Sequence, residues 1–263
     1  MRTKISRFEM EQQKSDSLLY RLLPMKVAKS LRNGERVKPE KFDNVTIMFS
    51  DIVGFTTIAS YSEPIETISI LNNLFTIFDN IVKRYDVFKV ETIGDAYLAV
   101  SGLPKRNNNH AEQIGLVALE FIDWCLRFKI EHMPSIPLQV RIGIHTGAVV
   151  SGVIGVISPR YCIFGDSVNI ASRLESTGSP NSIHISHTTK NWLEKYQNFI
   201  IEHRGSISLE GRGEFDTFWL LGRTEIDQPL LALPANISKG YGLEKKLKLG
   251  VHKCTTKKRM QKD

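Results

Sequence analysis

The sequence predicts an α+β fold of the split βαβ, ferredoxin-like type. Three observations lead there. Apolar runs and amphipathic stretches alternate in the order β-α-β-β-α-β between residues 44 and 145. The two middle strands, 87–92 and 96–101, are joined by a turn too tight for a crossover, Ile93-Gly94-Asp95. The chain has 263 residues, 41% of them hydrophobic, enough for one sizeable core with flanking segments.

The elements follow in order. Residues 8–32 read as an amphipathic helix with Leu18, Leu19, Leu22, Leu23, Val27 and Leu31 at helical spacing, interrupted by Pro24. This helix either pairs with a second copy or packs on its own domain. Residues 45–50 form a buried strand, and 64–84 a helix with Ile68, Leu71, Leu74, Phe75, Phe78 and Ile81 on one face. The hairpin 87–101 comes next, then a helix over 110–132 and an alternating strand over 138–145. Beyond it lie a Gly-rich strand region at 148–156, a helix at 167–176 and a strand at 183–185. A short helix near 187–196 and a strand pair near 199–209 and 215–221 complete the pattern. Residues 223–263 show no period and read as a tail.

Composition excludes several classes. No apolar run approaches the roughly 18–20 residues of a membrane span, and MRTKISRFEM lacks the apolar stretch of a secretory signal. Cys125, Cys162 and Cys254 are odd in number, widely spaced and without a CxxC pair, which points to a reducing compartment rather than a disulfide scaffold or zinc site. Much of the net charge of +7 sits in the tail, from Lys239 to Lys262. Without interleaved aromatics this is not a nucleic-acid surface. It reads as a solvated, disordered tail, with contact to an anionic membrane surface as the second use of such charge. Cys254 lies too far from the end for prenylation.

Asp51 ends the first strand, in FSDIVGF, and Asp95 opens the third. In a split βαβ sheet these strands are antiparallel neighbours, so both carboxylates come to one edge. Neither has a cationic neighbour in the local sequence, and crowded carboxylates repel unless a cation neutralises them. Mg²⁺ and Mn²⁺ suit such a place, because they take one or two carboxylates plus phosphate oxygens. Two such ions can clamp an in-line displacement at phosphorus. A lone Asp after a strand would be a solvated strand end; two at this place point to a metal site.

Four motifs then carry a resemblance. FSDIVGF, KVETIGDAY with SGLP behind it, RIGIHTG, and PRYCIFGDSVNIASRLESTG together resemble the class III nucleotidyl cyclases, over roughly residues 15–222. Within that family they are most similar to receptor-type guanylate cyclases, as is the lead-in SLLYRLLPMKVAKSL; EHRG at 202–205 has a soluble-enzyme flavour. The resemblance implies residues 1–40 as a helical lead-in for signalling or dimerisation, 41–222 as the catalytic domain and 223–263 as a basic tail. It implies a head-to-tail dimer that converts GTP to cyclic GMP and pyrophosphate by attack of the ribose 3′-hydroxyl on the α-phosphorus.

It also implies roles. Asp51, Asp95 and the Ile52 carbonyl would hold two Mg²⁺ or Mn²⁺ ions. Gly54, Phe55 and Thr56, in the loop after the first strand, and Arg141 would bind the triphosphate. Asn169 and Arg173, four apart on a helix and so on one face, would orient the ribose and stabilise charge on the α-phosphate. Glu91 and Cys162 would read guanine, whose N1–H and N2–H₂ are donors that a carboxylate accepts; adenylate cyclases resemble one another in carrying Lys and Asp there. In the family one domain gives the metal carboxylates and Arg141 and the other the base readers and the Asn169/Arg173 pair; this chain has both sets, which implies a homodimer with two equivalent sites, although pairing with a different subunit also fits. GTP places the chain in the cytoplasm, or at the cytoplasmic face of a membrane if it belongs to a larger receptor.

One departure stands out. Where the family carries K-G-K near the last hairpin, this chain reads Glu210-Gly211-Arg212. Arg212 could reach the triphosphate in place of the second lysine, while Glu210 reverses the charge of the first. Two alternatives remain: a non-catalytic or weakly active nucleotide-binding subunit that needs a different partner chain, and an adenylate or dual-specificity cyclase. A nucleic-acid polymerase palm shares the layout but lacks the basic, aromatic template channel.

Overall fold

The computed structural model describes residues 19, 20, 22–209 and 213–224. The basic tail and the Glu210–Arg212 stretch lie outside the described residues, as does most of the lead-in before Pro24. The elements are α1 (Met25–Arg32), β1 (Glu40–Ile52), α2 (Phe55–Ser60), α3 (Pro64–Val82), β2 (Phe88–Ile93) and β3 (Ala96–Ser101). Then come α4 (His110–Arg127), β4 (Val140–Ile154), β5 (Arg160–Phe164), α5 (Asp166–Ser176), β6 (Ser182–Ser186) and α6 (His187–Leu193). A 3₁₀ turn (Glu194–Tyr196), β7 (Phe199–Leu209) and β8 (Gly213–Arg223) complete the chain.

The strands form one mixed eight-stranded sheet in the order β2-β3-β1-β4-β6-β8-β7, with β5 paired to β4 alone. The first four places are the split βαβ arrangement expected from the sequence. Register pairs Ser50 with Tyr97 across β1 and β3, and Asp51 with Arg141 across β1 and β4. The one parallel contact joins β4 to β6.

Alternation along β1 separates two apolar layers. Met48 and Ile52 face a large cluster built with α3 and α4, where Phe78 stacks on Phe121 at 3.6 Å between centroids. Val45, Ile47 and Phe49 face a second cluster with Leu23, Val27 and Ala28 of the lead-in, Tyr161 and Ile163 of β5, and Ala171 of α5. Asp51 is on that second face. α3 begins with Pro64 at its first position and a reciprocal Glu63/Glu66 capping box, which satisfies two otherwise orphaned N–H groups.

The interruption expected at Pro24, which has no N–H to donate, is present in the described part of the lead-in. Leu23 N–H closes a turn on the Leu19 carbonyl, and α1 restarts with Ala28 N–H on the Pro24 carbonyl. Several boundaries differ from expectation for identifiable reasons. α4 stops at Arg127 rather than 132, because Phe128 turns extended, Lys129 bridges Pro137 and Ile130 is drawn into the core. The two strands expected over 138–156 are one, β4. β5 and the short α2 were not expected at all.

A buried polar chain crosses the sheet. Thr46 Oγ1 meets His110 Nδ1 at 2.7 Å and Thr146 Oγ1 at 2.8 Å. The chain continues through Thr189 and Ser186 to His145. His110 is 1% exposed, its Nε2 has no partner among the described residues, and its ring packs on Trp192 at 4.4 Å. Burial, with the Lys195 charge second, pushes it down to about 4.

Candidate active site

The β1–β3 register brings Asp51 beside Asp95, which occupies the turn between β2 and β3. Burial first, and then the Asp51 charge, lift Asp95 to about 6, partly offset by backbone N–H groups of Asp95 and Ile52. This is an edge with more negative charge than its surroundings solvate.

The structure also supplies what local sequence did not, a cation opposite Asp51. Arg141 donates from Nη2 to Asp51 Oδ2 at 2.9 Å and from Nε to Glu175 Oε1 at 3.0 Å. The local sequence has no such neighbour; strand pairing provides one from 90 residues along the chain. Glu175, on α5, had no place in the sequence reading. Burial first, then the charge of Asp51, lift it to about 7, with Arg141 opposing. The feature that fixes it lies on another element. Gly143 lies two residues from Arg141, and a Cβ there would sit 2.7 Å from Glu175 Cα, with the Glu175 nitrogen closer still. The glycine lets α5 seat its backbone directly on β4.

After Ile52 the chain turns at Gly54, left-handed at φ 68°, into α2. Thr57 and Ile58 N–H both return to the Gly54 carbonyl, and Val53 N–H is taken by the Gln139 carbonyl. Phe55 and Thr56 fall in the first turn of α2, whose leading N–H groups have no intrahelical acceptor.

The other residues singled out by sequence divide into two places. Asn169 and Arg173 are exposed on the face of α5 turned away from Glu175, and neither side chain makes a hydrogen bond or ion pair among the described residues. Glu91 and Cys162 are brought together, because β5 folds over β2, with Phe88 and Tyr161 edge to face at 5.6 Å. Burial and then the Glu91 carboxylate push the Cys162 thiol up. A register shift between Lys89 and Glu91 re-aims the strand there. Arg212 lies outside the described residues, so its position relative to either place is not drawn.

Among the described residues no group of three or more His, Cys, Asp or Glu is arranged to hold a metal. Three carboxyls, Asp51, Asp95 and Glu175, share one Arg141, and the hard pair Asp51/Asp95 fits Mg²⁺ or Mn²⁺, which usually complete their shell with substrate oxygens and water.

The fold and this acidic edge define a class. Residues 37–222 match the adenylate and guanylate cyclase catalytic domain, and the chain belongs to that family. Its similarity runs to guanylyl cyclases in particular. It is 50% identical over 242 residues to retinal guanylyl cyclase 2 of Bos taurus, covering 90% of this chain and 22% of that protein. It is 48% identical over 232 residues to retinal guanylyl cyclase 1 of Homo sapiens, covering 88% and 21%. The chain thus spans about a fifth of the length of these curated relatives. Among solved structures, the guanylate cyclase domain of RhGC from Catenaria anguillulae in complex with GTP superposes with a TM-score of 0.66. It is 37% identical, with 70% of this chain and all of that one covered. Among the described residues no helix is long and apolar enough to cross a membrane.

Proposed function

We propose that the chain is a guanylate cyclase catalytic domain that converts GTP to 3′,5′-cyclic GMP and pyrophosphate, at sites shared between two head-to-tail copies. The observation that carries this is the carboxyl pair Asp51/Asp95 at one sheet edge, flanked by Arg141. Asp51, Asp95 and the Ile52 carbonyl hold two Mg²⁺ or Mn²⁺ ions. Bound there, the ions lower the pKa of the ribose 3′-hydroxyl and offset charge on the phosphates.

The chain's own residues do the rest by positioning and charge. Gly54, Phe55 and Thr56 offer N–H groups to the terminal phosphates, and Arg141 adds a fork of donors. Arg212 reaches the same phosphates from the partner copy. Asn169 of the partner orients the ribose. Its Arg173 meets the charge developing on the α-phosphate. The partner's Glu91 accepts from guanine N1–H and N2–H₂, and the partner's Cys162 beside it leaves room for the base.

Two features support the shared site. Asn169 and Arg173 point away from their own acidic edge and are without partners among the described residues. The β4–β5 hairpin presents Val156 and Ile157, each 98% exposed, with Ile154 and Phe164 beside them, an apolar projection that a second copy would cover. The domain acts on the cytoplasmic side, where GTP is found.

The test is product formation by the purified chain with GTP or ATP, in Mn²⁺ and then Mg²⁺, over a range of protein concentrations. Cyclic GMP rising faster than linearly with protein is expected. Equal turnover of ATP would make it a dual-specificity cyclase. Silence from a folded dimer would favour a nucleotide-binding subunit awaiting a different partner, a reading that Glu210 in place of the family's lysine supports.

A further inference from the structure

We propose that Glu175 is a positioning residue that holds the Arg141 guanidinium beside the acidic edge and keeps it from closing over Asp51. The inference rests on the cyclase reading above. Arg141 uses two different edges: Nε binds Glu175 at 3.0 Å and Nη2 binds Asp51 at 2.9 Å, while Nη1 has no partner among the described residues. Contacts at two edges fix the plane of a guanidinium, which a single contact cannot do. Glu175 is a costly residue to keep here. Its side chain is only 11% exposed, and a buried carboxylate is tolerated only when paired. Its pairing partner is Arg141.

The helix carrying it rests backbone on backbone at Gly143. The Gly143 contact sets Glu175 Cα against β4 two residues from Arg141, so the carboxylate is delivered to Nε by the seat of α5 itself. With a neutral amide in its place the charge-assisted hold on Nε is lost, and both donor edges of Arg141 can turn to Asp51. A bidentate arginine–carboxylate pair is the favoured outcome. It would occupy both oxygens of Asp51 and withdraw Arg141 from the phosphates. Glu175 thereby serves the acidic edge of its own chain, although the opposite face of its helix presents Asn169 and Arg173 outward. A residue that merely supported α5 would act on the other half of the site.

That difference can be read by placing Glu175→Gln in mixed dimers of the full chain. An Asp51→Ala chain and an Arg173→Ala chain are each silent alone, and together they rebuild one whole site. With Glu175→Gln in the Arg173→Ala chain, which supplies Asp51 and Arg141, KM for GTP should rise and turnover fall by about tenfold or more. With the same change in the Asp51→Ala chain, cyclic GMP formation should stay within about twofold of the unmodified mix. Equal losses in the two placements, or a loss confined to the second, would overturn the inference. Glu175→Asp, which retains the charge, should recover part of the loss.

A second arm needs no turnover: equilibrium binding to the Glu175→Gln chain of GMP and of a GTP analogue with a methylene bridge between the α and β phosphorus atoms. The analogue should weaken by about tenfold with GMP unchanged; equal weakening of both, or of neither, refutes the role. If the unmodified mix is silent, the shared-site reading fails, and the binding comparison decides Glu175 by itself.

Discussion

Replacing His110 with Asn should remove a defined acid sensitivity from the fold. The imidazole is 1% exposed, bound through Nδ1 to Thr46, and held down to about 4 by burial and Lys195. In the unfolded chain a histidine titrates near 6.5. Between these values the unfolded state binds a proton that the folded state refuses. Stability is therefore full above the unfolded value and is lost as pH falls toward 4. For one site with those two constants, the loss between about pH 7.5 and about pH 5 is about 2 kcal/mol. Asn places a hydrogen-bonding atom near the former Nδ1 and has no charge to acquire. The assay is urea denaturation of wild type and variant at the two pH values. It is scored as the change in their difference, because Asp95 and Glu175, held up near 6 and 7, act in the opposite direction. The variant will be less stable at neutral pH through lost packing on Trp192, but that gap should narrow by about 2 kcal/mol at the lower pH. A gap that stays constant or widens would refute the assignment of a buried neutral His110.

Three further outcomes follow from the structure. Gly143→Ala should destabilise by about 3 kcal/mol, since its methyl would meet α5 backbone that has no rotamer to yield; a urea-denaturation change below about 1 kcal/mol would mean that α5 is not seated there. Asp51→Ala or Asp95→Ala should lower cyclic GMP formation by about a thousandfold while sedimentation still reports a dimer, and full activity in either would remove the metal assignment. Glu91→Lys combined with Cys162→Asp should invert the ratio of kcat/KM values in favour of ATP; an unchanged ratio would mean that the base is read elsewhere.

The layout was legible because its signals are local. The hairpin turn at Gly94 and the helical faces of α3 and α4 place Asp51 and Asp95 on one edge by topology alone. What was hidden depends on pairing between distant segments. Arg141 becomes a neighbour of Asp51 only through the β1–β4 register. Glu175 reads in sequence as one more acid on a polar helix, because its burial comes from a glycine on another element. α2 has only Ile58 buried, too little apolar pattern to register as a helix. β5 is only five residues long and follows a hairpin whose apolar tip is exposed, too short a pattern to register as a strand. At Pro24 the local rule was legible, and the interruption it marks is present.

The β1–β4 pairing has a consequence for synthesis. Asp51 and Arg141 are 90 residues apart in the chain. At roughly 5–20 residues per second, β1 emerges from the ribosome on the order of ten seconds before the strand that covers its second edge. During that interval Val45–Phe49, wholly apolar apart from Thr46, lies along an open hydrogen-bonding edge, a template for pairing with another chain. The pairing that covers this second edge is thus also the one that brings Arg141 to the acidic edge. A nascent chain arrested before β4 would have an aggregation-prone strand and no site, and its solubility would depend on chaperone cover for that interval.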